Sequence, residues 1–328
     1  MLTENDSLIF DLNEDVFSCF PSYEGVTPGG YTKNFLGILT RAKYEDSSKE
    51  YLKIISNLRQ ERITYPDSSE LILDWYPLLQ SVITAKEKFS MVAIGAGWGR
   101  WISAGAFAAK YLSKDYFLIG VEAEPDHFHW MEEHMNDNDI DPKKYRLIHA
   151  AASNHCGYCW FYIGKPASWY GQSIVSEGML KKPTSKKLML EYFVLNIIGL
   201  LNVKSRITYN DETIQKTRCV DLKEVIGTVD HLDYMMLDIQ GSEELFLTKY
   251  PEILQKTVKM VNVGTHTNTI ENNLRKYFTD LGWTCTFDIP MNSTVRFNIK
   301  KEQGSVNPVK TKDISFGDGV QVWINPNL

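Results

Sequence analysis

The chain has 328 residues, 43% hydrophobic and 23% charged, a globular composition long enough for one large domain and an appendage. Its net charge of -6 and pI near 5.7 argue against a nucleic-acid partner held through phosphate contacts. No stretch reaches the roughly 20 apolar residues that span a bilayer. The acidic opening MLTENDSLIFDLNEDVF lacks the basic start of a signal peptide. Five cysteines, an odd number, suit a reducing compartment better than a disulfide framework, so the expected location is cytoplasmic.

Residues 1–88 are expected to form an N-terminal helical extension. Between Asn34 and Leu58 the apolar residues Phe35, Ile38, Leu39, Leu52, Ile55 and Leu58 are spaced for helix faces, with a break near Glu45 to Ser48. Asp67 and Ser68 cap a second helix over about 69–86, whose buried side carries Leu71, Leu73, Trp75, Leu78, Leu79 and Val82.

From Phe89 the pattern alternates strand and helix. FSMVAI (89–94) reads as a strand buried on both faces, followed by a small-residue helix over 101–112. YFLIGVEAE (116–124) is a second strand with a helix behind it, and YRLIHAAAS (145–153) a third, which CWFYIG (159–164) pairs with or extends at the edge. DYMMLDI (233–239) and KMVNVGTH (259–266) follow, each with a helix, and WTCTFDI and GVQVWIN close the chain as an antiparallel edge. Such alternation implies an α/β, doubly wound, mostly parallel sheet over 89–328. An insertion at about 165–217 interrupts it. There Glu191, Tyr192, Asn196, Gly199 and Asn202 form a narrow polar stripe on a helix over 187–203. Its wide apolar face fits a lid, a contact in a homo-oligomer or a membrane surface.

AIGAGWGRW places Gly95, Gly97 and Gly99 between the first strand and its helix, where glycines permit a sharp turn and close approach of a ligand. The third position of the nicotinamide fingerprint would be Arg100, which disfavours a dehydrogenase and suits a nucleoside cofactor without pyrophosphate. Glu122, late in the second strand, is placed to accept hydrogen bonds from ribose hydroxyls; Glu124, two residues on, is the alternative.

GAGWGRW, VEAEP, AAASNHCGYCWFYIG and LDIQGSEE, with GTHT and FGDGVQVWINP, resemble in order and spacing the FkbM family of methyltransferases, from about Trp75 to the C-terminus. The resemblance implies a Rossmann-like class I methyltransferase domain, S-adenosylmethionine as cofactor, and O-methylation of a sugar or other small-metabolite hydroxyl. The acid that the family often carries late in the first strand is here Ala93, and the lysine and glutamate of its fourth-strand signature are Met236 and Gln240. These departures leave open a cofactor-binding module without turnover.

Asp238 and His266 follow the fourth and fifth strands, at the carboxyl ends where ligands of open α/β sheets bind. If those strands are neighbours, His266 is placed to act as base near neutral pH while Asp238 orients it or binds the acceptor. A divalent ion on Asp238 and His266 is conceivable, although two ligands do not make a metal site. Glu243, in the first turn of a helix, is explained by the helix dipole. Trp169, Tyr170 and Gln172, in PASWYGQSIV, suit a sugar ring or an adenine edge. Cys156 and Cys159 flank an apparent Gly157-Tyr158 hairpin turn and lack the partners zinc requires.

Overall fold

The computed structural model describes residues 8–20, 22–46, 48–63, 71–163, 172–175, 206–209, 212–300 and 310–328. The apolar run Lys88–Ile94 (β1) is buried along its length after the first residue. It joins Asp115–Glu122 (β2), Arg146–His149 (β3), Tyr234–Leu237 (β4), Met260–Thr265 (β5), Thr284–Ile289 (β6) and Gly319–Ile324 (β7) in a seven-stranded sheet. The order is β6-β7-β5-β4-β1-β2-β3. Neighbours among β1 to β5 run parallel, and β7 is antiparallel to both β5 and β6.

The connecting helices are Ile72–Thr84 (α1), Arg100–Tyr111 (α2), Pro125–Asp137 (α3), Leu222–Ile226 (α4), Glu243–Leu247 (α5), Pro251–Thr257 (α6) and Asn268–Asp280 (α7). Alternation along the strands feeds two cores. Phe89 and Met91 pack with Leu78 of α1, Ile102 of α2 and Met131 of α3. Val92 and Ile94 pack with Val225 of α4, Phe246 of α5 and Phe278 of α7. The sheet is therefore doubly wound, and its order reverses between β1 and β4, where a crevice opens at the strand ends.

The N-terminal region departs from the helical expectation. Leu8–Asn13 pairs in parallel with Ser293–Lys300, which pairs in turn with Lys310–Phe316. Tyr23–Thr27 pairs with Arg59–Ile63, and Tyr31–Lys33 with Leu39–Arg41. Among the described residues, helical structure there is confined to Glu14–Ser18, Ala42–Tyr44, Lys49–Ile54 and α1. The misleading spacing of Phe35 and Ile38 comes from a turn: the Asn34 side chain accepts from the N–H groups of Leu36 and Ile38, and Gly37 has φ +80°. That turn drives both apolar side chains inward without a helix. Asp67 and Ser68 lie outside the described residues.

The stretch read as a continuous third strand is broken. Ala151–Ala152 pairs with Glu212–Val220, and Gly157–Tyr162 pairs antiparallel with the same partner rather than with β3. Gly157 and Tyr158 thus belong to a strand, not to a hairpin turn. The segment expected as a helical insertion contains Arg206–Tyr209 and the start of Glu212–Val220, while 187–203 lies outside the described residues.

Residues 39–44 dock on α3. Arg41 makes a two-pronged ion pair with Asp137 at 2.7 and 3.0 Å, and Asn138 exchanges hydrogen bonds with the Leu39 backbone. The fully buried Tyr44 ring stacks on Trp98 and Trp130, and its hydroxyl donates to Glu133 at 2.6 Å. His134, which burial pushes down to about 4, sits as a neutral ring against Thr40 and Ser103. Tyr44→Ala should therefore cost about 3–5 kcal/mol, as for other buried aromatics, and Tyr44→Phe about 1 kcal/mol for the hydrogen bond alone. Denaturant titration of the two variants checks this order.

Candidate active site

The loop after β1 is shaped by three left-handed glycines: Gly95 at φ +75°, Gly97 at +54° and Gly99 at +81°. A Cβ on Gly95 would lie 1.9 Å from the Asp238 carbonyl oxygen, and one on Gly99 2.8 Å from Met131. The N–H groups of Gly95 and Ala96 both donate to the Val121 carbonyl, which ties the loop to β2.

Glu122 and Glu124 separate here into two roles. Glu122 is buried and accepts from the Gly97 N–H at 2.7 Å on one oxygen and from the Glu124 N–H at 2.8 Å on the other. Burial raises its pKa above the usual carboxylate range, against the pull of those N–H groups. Each oxygen keeps a lone pair for a further donor, and the side chain lines a cavity. Glu124 caps α3, accepting from the His127 N–H at 2.6 Å, and burial pushes its pKa up to about 7. It does not line that cavity. The acid directly before Pro125 was a legible N-cap signal.

Asp238 and His266 do meet, because β4 and β5 are paired neighbours. His266 Nε2 lies 3.3 Å from Asp238 and 4.0 Å from Asp318, while Nδ1 lies 2.8 Å from Glu243. Burial alone would lower the imidazole pKa, but the hydrogen bonds to Asp238 and Glu243 outweigh it and hold the pKa up at about 10. With both nitrogens facing carboxylates, the ring is held as an imidazolium near neutral pH, which tells against its expected role as base. Glu243, read from sequence only as a dipole partner, is fully buried and also accepts from the N–H groups of Ile239 and Gly241. It clamps the loop after β4 and the histidine together. Gln240, whose side chain donates to Asp238 at 3.0 Å, has a left-handed backbone at φ +52°, rare for a residue with a Cβ.

Three cavities adjoin at the strand ends, and Asp238 and Gln240 line all of them. The first, about 120 Å³, is framed by Gly95, Gly97, Glu122, Ala151, Phe161 and Gln172. Gln172 reaches it on a short extended segment bridged to Phe161, and its amide nitrogen is buried without a hydrogen-bond partner among the described residues. Trp169 and Tyr170 lie outside the described residues. The second cavity, about 270 Å³, runs along Gly97, Trp98, Arg100 and Trp101 to Glu45. The third, about 190 Å³, is bounded by Asp74, Asn262, His266, Phe316 and Asp318. Glu45 gave no sequence signal, since it comes from a segment remote from the motifs, and Asp318 falls within FGDGVQVWINP without anything there marking it as a site residue.

Among the described residues no group of three or more His, Cys, Asp or Glu side chains is arranged to hold a metal. Cys156 is exposed and Cys159 half-buried, both as free thiols. No described helix is long and apolar enough to cross a membrane.

No family model matches the chain. A protein of Jannaschia sp. (strain CCS1) named "Putative methyltransferase" is 25% identical over 284 residues, 83% of this chain and 88% of that one. The solved structure of Methyltransferase FkbM from Methylobacillus flagellatus KT aligns with TM-score 0.39 and 10% identity, over 76% of this chain and 53% of that one. Precorrin-6y C5,15-methyltransferase from Geobacter metallireducens GS-15 aligns with TM-score 0.34 and 9% identity, over 76% and 84%. The strand order and antiparallel β7 are those of a Rossmann-like, doubly wound α/β fold.

The His266 pKa, raised above the ordinary histidine value, sets a sign for stability. The contribution is whole below about pH 6.5, the unfolded value, and is lost as pH rises through about 10. NMR titration should show the ring still protonated at pH 8; a midpoint near 6.5 would contradict the ion-pair arrangement. His266→Ala strands the buried Glu243 carboxylate and should cost about 3–5 kcal/mol in denaturant unfolding.

Proposed function

We propose that this chain is a methyltransferase that uses S-adenosylmethionine to methylate a hydroxyl of a sugar or other small metabolite. One observation carries the reading: Asp238 stands where the glycine-loop cavity with Glu122 meets the cavity with Asn262, His266 and Asp318. The residues present suit the cofactor. Gly95 has no room for a Cβ against the Asp238 carbonyl, Gly97 turns at φ +54° beside Glu122, Glu122 has lone pairs for a ribose diol, and Gln172 has an amide donor without a partner among the described residues for an adenine nitrogen. Once bound, S-adenosylmethionine supplies an electrophilic methyl group.

The protein's own part is alignment and proton handling. Asp238 accepts the acceptor's O–H and takes its proton, since His266, already protonated, cannot. The His266 imidazolium at 3.3 Å and the Gln240 amide hold that carboxylate in place. Asp238 is half exposed, so the proton has a path to solvent. The 25% identity to the Jannaschia protein supports the methyltransferase reading but does not name the acceptor.

Glu122→Ala should weaken S-adenosylhomocysteine binding by about 1.5–3 kcal/mol, roughly ten- to over a hundredfold. Calorimetry should show Glu124→Ala binding almost normally. Asp238→Asn should slow turnover about 10²–10⁴-fold, the usual range for general base catalysis, while S-adenosylhomocysteine still binds. A screen of hydroxylated acceptors read by mass spectrometry tests the reaction itself; methylation confined to amines would overturn the hydroxyl assignment.

A further inference from the structure

We infer that Arg100 and Glu45 hold the α-carboxylate and the α-ammonium of the amino-acid end of S-adenosylmethionine, an assignment that rests on the cofactor reading above. The cavity of about 270 Å³ beside the glycine loop has an apolar floor, Ala93 and Met236, so any charge recognition must come from its walls. Its charged lining residues among those described are Glu45, Arg100 and Asp238. Both partners of Asp238, His266 and Gln240, sit on its Oδ1, and its remaining oxygen is assigned above to the acceptor hydroxyl.

Arg100 is aimed by aromatic packing. Its guanidinium lies 4.9 Å from the Trp98 ring centre and 5.9 Å from that of Trp101, so cation–π contact with both rings holds the charge at this wall. Glu45 is fixed on its other oxygen, which accepts from Thr32 at 2.9 Å and Tyr51 at 3.2 Å. Its Oε1 is then turned toward Arg100, but the two stand 3.6 Å apart. That is long for a pair whose charge-assisted bonds close to about 2.7–2.9 Å. One wall of the cavity thus presents a cation and an anion side by side, neither saturated by the other. An α-amino acid offers the complementary carboxylate and ammonium on one carbon. Glu45 reaches this wall because residues 39–44 are locked to α3, so the N-terminal region supplies half of the subsite.

The test compares ligands that share the adenosine and differ at the amino-acid end. S-Adenosylhomocysteine carries both charges, decarboxylated S-adenosylhomocysteine only the ammonium, and 5′-methylthioadenosine neither. Calorimetry on the full chain should show that Arg100→Met weakens S-adenosylhomocysteine about ten- to a hundredfold, the effect of one charged hydrogen-bonding partner. The same variant should bind 5′-methylthioadenosine and the decarboxylated ligand within about twofold of the parent protein. Glu45→Gln should weaken both ammonium-bearing ligands and spare 5′-methylthioadenosine, whose retained binding also shows that each variant is folded. Equal losses for all three ligands, or none, would overturn the assignment while leaving the cofactor cavity standing. If the parent protein binds none of the three, the cofactor reading fails and this assignment falls with it.

Discussion

A Cβ on Gly95 would come within 1.9 Å of the Asp238 carbonyl oxygen, so the loops after β1 and β4 touch backbone to backbone. The Asp238 N–H donates to the Ile94 carbonyl at 3.0 Å, and the Gly95 and Ala96 N–H groups donate to Val121. Three strand ends are thereby stitched into one surface without a side chain in the seam. Everything else at the crevice is positioned from it. Glu122 reaches back to Gly97, Asp238 is carried to the junction of the cavities, and Gln240 accepts a left-handed backbone so that the chain can turn into α5. An alanine at Gly95 would have to separate the two loops, and it would also sit in a conformation that disfavours a Cβ.

Around this seam the charges are arranged to stay where they are. Glu243 is fully buried and acceptable there because two backbone N–H groups and the His266 imidazolium neutralise it. The same imidazolium faces Asp238, so a single cation links a buried carboxylate to a half-exposed one. A histidine so placed is a fixed positive charge rather than a proton carrier near neutral pH. On the proposed function, the group left to accept a proton is the half-exposed Asp238 carboxylate.

Sequence reading succeeds where one segment determines its own environment. Phe89 to Ile94, Tyr116 to Val121 and Tyr234 to Leu237 are almost wholly apolar runs, and only a sheet covered on both faces can bury them. The glycine loop is legible because its residue type states its backbone need. Ser293–Lys300 and Lys310–Phe316 were missed since they alternate polar and apolar residues and gain a core only by pairing with each other and with Leu8–Asn13. His266 shows the same limit in chemistry. Its neighbours come from the segments around 238, 243 and 318, and no local pattern reveals that both ring nitrogens will face carboxylates.

The N-terminal region follows from this logic as part of the crevice rather than an appendage. Tyr44, stacked on Trp98, and Arg41, paired with Asp137, transmit the position of α3 and the glycine loop to Glu45. A segment that only covered the sheet would not need a buried aromatic stacked on the loop residue next to Gly97, nor a neutral histidine bridging Thr40 to Ser103 of α2. Those contacts fix the spacing between Glu45 and Arg100, so the width of the second cavity is set by two regions that are distant in sequence and meet at the strand ends.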